Sequence, residues 1–169
     1  ASLFSEYAQA CFGIPEDNIV YIKNATTTSM SQHIDMVSRV LEKTDGKGEL
    51  IFYYAGHGFT DSNGAPFLIP CDVAGNDSDY SISLNETIQK FATTNCDIYS
   101  FIDACYSGGG RSEDLVAHRS LSVEPNSTYL PGDVLVFASS TGSQPSCAYP
   151  EKRHGLFTYY LLKGLKQNK

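Results

Sequence analysis

Two stretches of the sequence decide the fold: Phe52-Tyr53-Tyr54-Ala55-Gly56-His57-Gly58 and Phe101-Ile102-Asp103-Ala104-Cys105-Tyr106-Ser107-Gly108. Each begins as an apolar run long enough for a buried strand and breaks at a glycine-rich turn, one with His57 at the break and the other with Cys105. In an open α/β sheet, ligands and chemistry lie outside the carboxyl ends of the strands. If the two strands are neighbours, an imidazole and a thiol meet there, as a cysteine hydrolase requires. A single Cys or His more often packs in a core, but two matching strand ends favour catalysis.

This pair resembles that of the caspase-like cysteine peptidases (peptidase family C14, clan CD), and most of all their bacterial metacaspase-like branch. The caspase signature is Gln-Ala-Cys, a variable residue and Gly, with a histidine roughly 50 residues upstream. Here the separation is 105 − 57 = 48 residues, and Asp103-Ala104-Cys105 carries aspartate in place of the caspase glutamine. The resemblance implies a caspase-like (caspase-hemoglobinase) three-layer sandwich, an α/β fold with a mainly parallel sheet flanked by helices.

The resemblance covers almost the whole chain, from about residue 3 to residue 165. Phe67-Leu68-Ile69-Pro70-Cys71-Asp72 is similar to the hairpin after the family's histidine, and residues 154–162 are similar to the helix that closes many bacterial members. One departure is that the family's first strand normally precedes the helix that here starts near Ser2. We therefore expect an N-terminally incomplete domain that associates with the segment carrying the missing first strand.

Hydrophobic periodicity predicts alternating helices and strands along the chain. Helices are predicted at residues 2–11, 83–92 and 156–165. A further helix is predicted from the spacing of four apolar residues that fall on one face: Met30, Ile34, Val37 and Leu41. Strands are predicted at residues 19–22, 50–54, 98–102 and 134–138, and a hairpin over residues 59–68 turns at Asp61-Ser62-Asn63-Gly64. This alternation is typical of a mainly parallel sheet wrapped by helices.

Length and composition bound the class of protein. A chain of 169 residues, 41% hydrophobic, fits one domain over residues 1–169. The net charge of −7 argues against nucleic acid as a partner, and no apolar run approaches the roughly 18 residues of a membrane span. The five cysteines form neither a disulfide framework nor a zinc pattern; they are Cys11, Cys71, Cys96, Cys105 and Cys147. Most are expected to be buried thiols, which favours a cytoplasmic location and leaves a secreted or periplasmic one open.

The chemistry centres on Cys105 as the nucleophile and His57 as its acid–base partner. The thiol would attack a peptide carbonyl to form a thioester, and the imidazole would protonate the leaving amine. The family resemblance implies that the backbone N–H groups of Gly58 and Cys105 form the oxyanion hole. The remaining histidines are interpreted as structural; they are His33, His118 and His154.

Substrate preference is predicted from two carboxylates. Asp103 precedes the nucleophile by two residues, so strand alternation directs it to the same side as Cys105. In metacaspase-like relatives this position lines the S1 pocket and recognises basic side chains, and Asp72 resembles a second pocket carboxylate. We therefore expect cleavage of proteins or peptides after Arg or Lys. Ala55 departs from the serine that is common in eukaryotic metacaspases, which alters the pocket wall.

The stretch from residue 108 to residue 132 lacks convincing periodicity and contains two basic residues, Arg111 and Arg119. A loop of this length inside a compact domain is usually functional or disordered. In the caspase-like family it borders the active site and is often cut during maturation, so self-cleavage after Arg111 or Arg119 is predicted, with a surface loop as the alternative.

The chemistry requires no cofactor and no metal site is predicted. Asp77 and Asp79 favour a solvated turn over a calcium site.

Two other functions stay open from the sequence. The chain could be a catalytically idle caspase-like scaffold that acts through protein contacts, although intact His57 and Cys105 argue against this. It could also be a flavodoxin-like binding module, although no Gly-rich phosphate loop follows an early strand.

Overall fold

A five-stranded sheet forms the centre of the larger of two compact units, Asn24–Pro145, in the computed structural model, which describes residues 2–106, 134–139, 148–149 and 154–167. The strands are β1 (Glu49–Thr60), β2 (Pro66–Ile69), β3 (Ile82–Ser83), β4 (Asp97–Cys105) and β5 (Val134–Ala138). Their order in the sheet is β3-β2-β1-β4-β5. The pairs β1–β4 and β4–β5 are parallel, whereas β2 and β3 are antiparallel additions at one side. The predicted α/β class with a mainly parallel sheet is confirmed.

Two helices, α2 (Thr27–Glu42) and α3 (Leu84–Ala92), pack against this sheet. The predicted stripe of α2 faces the core, since Met30 and Leu41 are buried and the side chains between them pack against the same clusters. From α3, Phe91 is fully buried and contacts Phe52 of β1 edge to face. The apolar face of each helix therefore holds it on the sheet, as amphipathic periodicity predicts.

Hydroxyl side chains cap the starts of both helices. The hydroxyl of Thr26 accepts a hydrogen bond from the N–H of Ser29 at 3.2 Å, and that of Ser83 accepts one from the N–H of Glu86 at 3.3 Å. Each bond satisfies one of the N–H groups that a helix leaves without an internal partner.

The second unit comprises Ala1–Lys23 and Ser146–Lys169. Its elements are α1 (Ser2–Phe12), a 3₁₀ turn (Glu16–Asn18), β6 (Ala148–Tyr149), β7 (His154–Gly155) and α4 (Leu156–Gln167). Phe4 and Ala8 of α1 and Leu162 of α4 are buried. Both terminal helices are therefore confirmed. In the described part of the chain, no helix is long and apolar enough to cross a bilayer.

The predicted strand at residues 19–22 is wrong. These residues lie outside every strand of the described chain, and Val20 and Tyr21 are 48% and 47% exposed. Ile19 has extended dihedral angles, with φ −108° and ψ 117°. A continuous run of β-branched and aromatic residues favours such a conformation, but a strand also needs a partner that satisfies its N–H and C=O groups.

The prediction that the apolar run of residues 52–58 breaks at a glycine-rich turn is also wrong. β1 continues through Gly56, His57 and Gly58 and ends only at Thr60, where the predicted hairpin turn begins. The turn itself is confirmed, with Asp61 Oδ1 accepting from the N–H groups of Asn63 and Ala65. The glycines stay extended because β4 pairs with this segment on one side and β2 pairs with it from His57 onward.

Candidate active site

His57 and Cys105 are register partners on neighbouring parallel strands. The β1–β4 ladder runs from Glu49 opposite Asp97 to His57 opposite Cys105, where β4 ends. Adjacent strands lie about 4.8 Å apart, so the backbones of the two residues are direct neighbours. The side chain of His57 is exposed. The structure thus brings both predicted catalytic residues to the carboxyl end of β4, and their roles stay predictions.

Asp103 lies two residues before this pair and is the register partner of Ala55. The Asp103 side chain is only 9% exposed, whereas Ala55 is exposed. A carboxylate this deeply buried next to the candidate nucleophile is costly in free energy unless polar or charged groups compensate it. Its position fits the predicted S1 carboxylate, which stays a prediction.

The two glycines that flank His57 leave space for two tyrosines. A Cβ atom on Gly56 would lie 2.6 Å from the Tyr54 hydroxyl oxygen. A Cβ atom on Gly58 would lie 3.0 Å from the Tyr106 ring and 3.0 Å from the carbonyl oxygen of Phe67. Any side chain at either position would displace these neighbours. Packing against these neighbours therefore requires glycine on both sides of His57.

Tyr54 and Tyr106 differ in their hydrogen bonding. The Tyr54 hydroxyl lies 2.7 Å from the carbonyl oxygen of His57 and 3.1 Å from that of Ile69, and its single proton is shared between these two acceptors. The fully buried Tyr106 hydroxyl has no hydrogen-bond partner among the described residues. Burial raises the pKa of Tyr54 to about 12, although the bond to Ile69 opposes this shift. Burial, and then the neighbouring Tyr54, raise the pKa of Tyr106 as well.

Asp72, the second predicted S1 residue, lies at the start of α2. Its Oδ1 atom accepts from the N–H of Thr27 at 2.8 Å and lies 3.4 Å from the Thr27 hydroxyl oxygen. The same hydroxyl donates to the carbonyl oxygen of Tyr80 at 2.8 Å. An anion at a helix N-terminus is stabilised by the exposed N–H groups and the helix dipole. Asp72 therefore has a structural partner, and its place in the S1 pocket stays a prediction.

Three of the five thiols have described side chains. Cys96 is buried, Cys11 is half-buried and Cys71 is exposed, with its thiol donating to the carbonyl oxygen of Asn24 at 2.9 Å. Only one of these three thiols is therefore buried, whereas most were expected to be. Cys96 lies at the opposite end of the sheet from His57, one residue before β4 begins.

The acidic turn at Asp77 and Asp79 is held by its own backbone. The N–H of Asp79 donates to Asp77 Oδ1 at 3.0 Å, as in an Asx turn, and both aspartates are exposed. Within the described ranges, no group of three or more His, Cys, Asp or Glu side chains is arranged to hold a metal ion. Calcium activation stays untested.

Part of the predicted site falls outside the described residues. This applies to His118, to the whole 108–132 segment and to both predicted cleavage positions, Arg111 and Arg119. His33 lies on α2, where its Nδ1 atom lies 2.7 Å from the carbonyl oxygen of Ser29, which is consistent with a structural role.

Comparison with known proteins decides the family. A family model described as the caspase domain matches residues 3–169. The chain belongs to the caspase domain family. It is therefore a C14-type cysteine peptidase domain, a class whose substrates are proteins or peptides, and the flavodoxin-like alternative is excluded. No curated protein matches the chain.

The sequence reasoning missed Tyr54 and Thr27 as neighbours of the site. Residues i and i+2 of a strand lie on the same face, so the spacing of Tyr54 and Gly56 could have predicted that the tyrosine ring covers the glycine. No sequence signal links Thr27 to Asp72, because 45 residues separate them and only the tertiary fold brings them together.

Proposed function

We propose that this caspase-domain chain is a cysteine endopeptidase of the metacaspase-like branch, which hydrolyses peptide bonds after Arg or Lys through a Cys105/His57 dyad. The observation that supports this proposal most strongly is the pairing of His57 with Cys105 at the end of the parallel β1–β4 ladder, where β4 ends. Strand ends of this kind are where α/β proteins bind ligands.

In the proposed reaction, His57 accepts the proton of the Cys105 thiol and the thiolate attacks the carbonyl carbon before the scissile bond. The oxyanion is stabilised by the backbone N–H groups of Gly58 and Cys105. His57 then donates the proton to the leaving amine, and the peptide C–N bond breaks. Water hydrolyses the thioester and regenerates the thiol. These steps use the chain's own residues and require no cofactor.

The proposed preference for Arg or Lys rests on the sign of charge beside the nucleophile. Asp103 is buried and Asp72 is exposed, and both carry carboxyl groups that can bind a guanidinium or an ammonium group by charge-assisted hydrogen bonds. An aspartyl side chain in the same pocket would place like charges together at low dielectric, at a cost of several kcal/mol.

Two further proposals accompany this function. Active protein cleaves itself after Arg111 or Arg119. The chain works in the cytoplasm, in keeping with free thiols at Cys11, Cys71 and Cys96.

A labelling experiment tests the peptidase proposal directly. The purified chain is incubated with matched peptidyl chloromethyl ketones that end in Arg, Lys or Asp, and the intact mass is measured. We expect one adduct from the arginyl or lysyl reagent, none from the aspartyl reagent, and none in Cys105→Ala. A folded chain that reacts with no reagent would overturn the peptidase proposal and favour the idle caspase-like scaffold.

A further inference from the structure

The Tyr54 hydroxyl joins two backbone carbonyls at the end of a ladder. His57 and Ile69 are the last register pair of β1 and β2, and the hydroxyl oxygen lies 2.7 Å and 3.1 Å from their respective carbonyl oxygens. Terminal pairs of a ladder are held on one side only, so they open more readily than interior pairs. Tyr54 therefore fixes the backbone of His57 at the point where the β2 ladder ends.

The local sequence is arranged around this contact. Gly56 lies between Tyr54 and the histidine, and a Cβ atom there would lie 2.6 Å from the hydroxyl oxygen and 2.8 Å from Cζ of the tyrosine ring. Only glycine leaves room for the ring to reach along the strand to the carbonyl of His57. A tyrosine, a glycine two residues later and the histidine after it thus form one structural unit.

The donor role is robust to pH. Burial raises the pKa of Tyr54 to about 12, so the phenol keeps its proton throughout the neutral range. The facing titratable group is Tyr106, whose pKa burial also raises. Both phenols therefore keep their protons near neutral pH.

We propose that Tyr54 is a positioning residue for His57: its hydroxyl holds the histidine's main-chain carbonyl and thereby sets the direction of the imidazole toward Cys105. This inference rests on the proposed function, because it assigns His57 the acid–base role. Small displacements of catalytic groups reduce rates strongly, since a shift of about 1 Å can cost 100-fold. The hydroxyl contacts no reacting atom, so its effect passes through the histidine.

Tyr54→Phe tests the proposal, and Tyr106→Phe is the matched control. Both variants remove one hydroxyl from a tyrosine whose ring lies against a glycine that flanks His57, but only the Tyr54 hydroxyl has hydrogen-bond partners among the described residues. On an arginyl peptide substrate, Tyr54→Phe should lower kcat about 10-fold and leave KM within about twofold. Tyr106→Phe should retain the kcat of the wild type. Melting temperatures confirm that each variant is folded.

A second readout separates positioning from general packing. The rate of Cys105 alkylation by iodoacetamide is measured against pH in a Cys71→Ala background, which removes the thiol that is exposed among the described cysteines. Tyr54→Phe should move the alkylation midpoint to higher pH, because a misplaced imidazolium stabilises the thiolate less. In His57→Ala, adding Tyr54→Phe should change nothing further, as expected when one residue acts through the other.

Each outcome decides the matter. If Tyr54→Phe and Tyr106→Phe lose the same factor in kcat, Tyr54 has a packing role and the inference is overturned. The same holds if Tyr54→Phe shifts the alkylation midpoint equally with and without His57. Wild-type kcat in Tyr54→Phe alongside an inactive His57→Ala would overturn it and leave the peptidase proposal standing. Full activity in His57→Ala would instead overturn the proposed function. If Tyr54→Phe fails to fold, Gly56→Ala displaces the same hydroxyl and should give the same kinetic signature.

Discussion

The carboxylate of Asp72 accepts a hydrogen bond from the backbone N–H of Thr27, the first residue of α2. A residue expected to recognise the substrate thus also stabilises the start of a helix. The hydrogen bond needs only an oxygen acceptor, whereas recognition of a cationic side chain needs the negative charge. The two roles can therefore be separated by substitution.

For Asp72, we expect Asp72→Asn and Asp72→Ala to differ. The asparagine keeps an oxygen acceptor for Thr27, so its melting temperature should stay close to that of the wild type. The alanine loses a capping interaction of about 1 kcal/mol, which should lower Tm by about 2–4 °C. Both should reduce kcat/KM for arginyl peptides. If Asp72→Asn retains the kcat/KM of the wild type, the assignment of Asp72 to the S1 pocket is contradicted.

For the nucleophile, we expect Cys105→Ala to abolish peptidase activity with little change in Tm. Cys105 is the last residue of β4, and removal of its thiol should cost catalysis far more than packing. Cys71→Ala is the control, because it removes an exposed thiol from a neighbouring segment and should retain activity. Peptide turnover and thermal unfolding of both variants provide the measurement. Unchanged turnover in Cys105→Ala would contradict the catalytic assignment.

For specificity, we expect discrimination for Arg or Lys over Asp at P1 to exceed about a thousandfold, because every 1.4 kcal/mol is roughly tenfold. Asp103→Ala should lower kcat/KM for arginyl peptides severely. It should leave Cys105 reactive with iodoacetamide, which carries no charge. The measurement uses peptides that differ only at P1. An Asp103→Ala enzyme with full arginyl activity would move the pocket assignment elsewhere.

For maturation, we expect active protein to cut itself after Arg111 or Arg119 during expression or storage. Intact masses of the wild type and of Cys105→Ala, prepared side by side, should differ by the fragments released. The double variant Arg111→Gln/Arg119→Gln should stay intact and retain activity toward peptides. Identical masses in the wild type and Cys105→Ala would exclude self-processing without affecting the peptidase proposal.

For alkaline stability, we expect the free energy of unfolding to fall between pH 10 and pH 12 in a Tyr54-dependent way. Burial raises the pKa of Tyr54 from 10.0 to about 12, so in this range the unfolded chain ionises while the folded chain does not. The stabilisation is complete below pH 10 and is lost as pH rises through 12, a change of about 2–3 kcal/mol. Urea unfolding at pH 9 and pH 11 should show a smaller decrease in Tyr54→Phe than in the wild type.

Local sequence predicted much of the fold. The apolar stripe of α2, the hydroxyls of Thr26 and Ser83 at the helix starts and the turn at Asp61 each act over a few residues. Their chemistry is therefore visible in the sequence without knowledge of the rest of the chain. The family resemblance rested likewise on the short segments around His57 and Cys105.

The same local reasoning was wrong wherever a partner strand determined the result. Residues 19–22 have an apolar pattern suited to a strand but pair with none in the described chain. The glycines around His57 indicated a turn, yet this segment is extended because β4 and β2 pair with it. Hydrogen-bond pairing between strands depends on residues far apart in sequence, so periodicity alone could not predict it.

The sequence by itself identified the residues proposed for catalysis: a histidine and a cysteine, each at the carboxyl end of an apolar run, with an aspartate two residues before the cysteine. The tertiary structure alone decided that His57 is the register partner of Cys105, that Asp72 accepts from Thr27, and that the Tyr54 hydroxyl lies against the carbonyls of His57 and Ile69. The physical reason is that residue type and spacing set local conformation and chemistry, whereas register and hydrogen bonds between distant segments form only when the whole sheet is assembled.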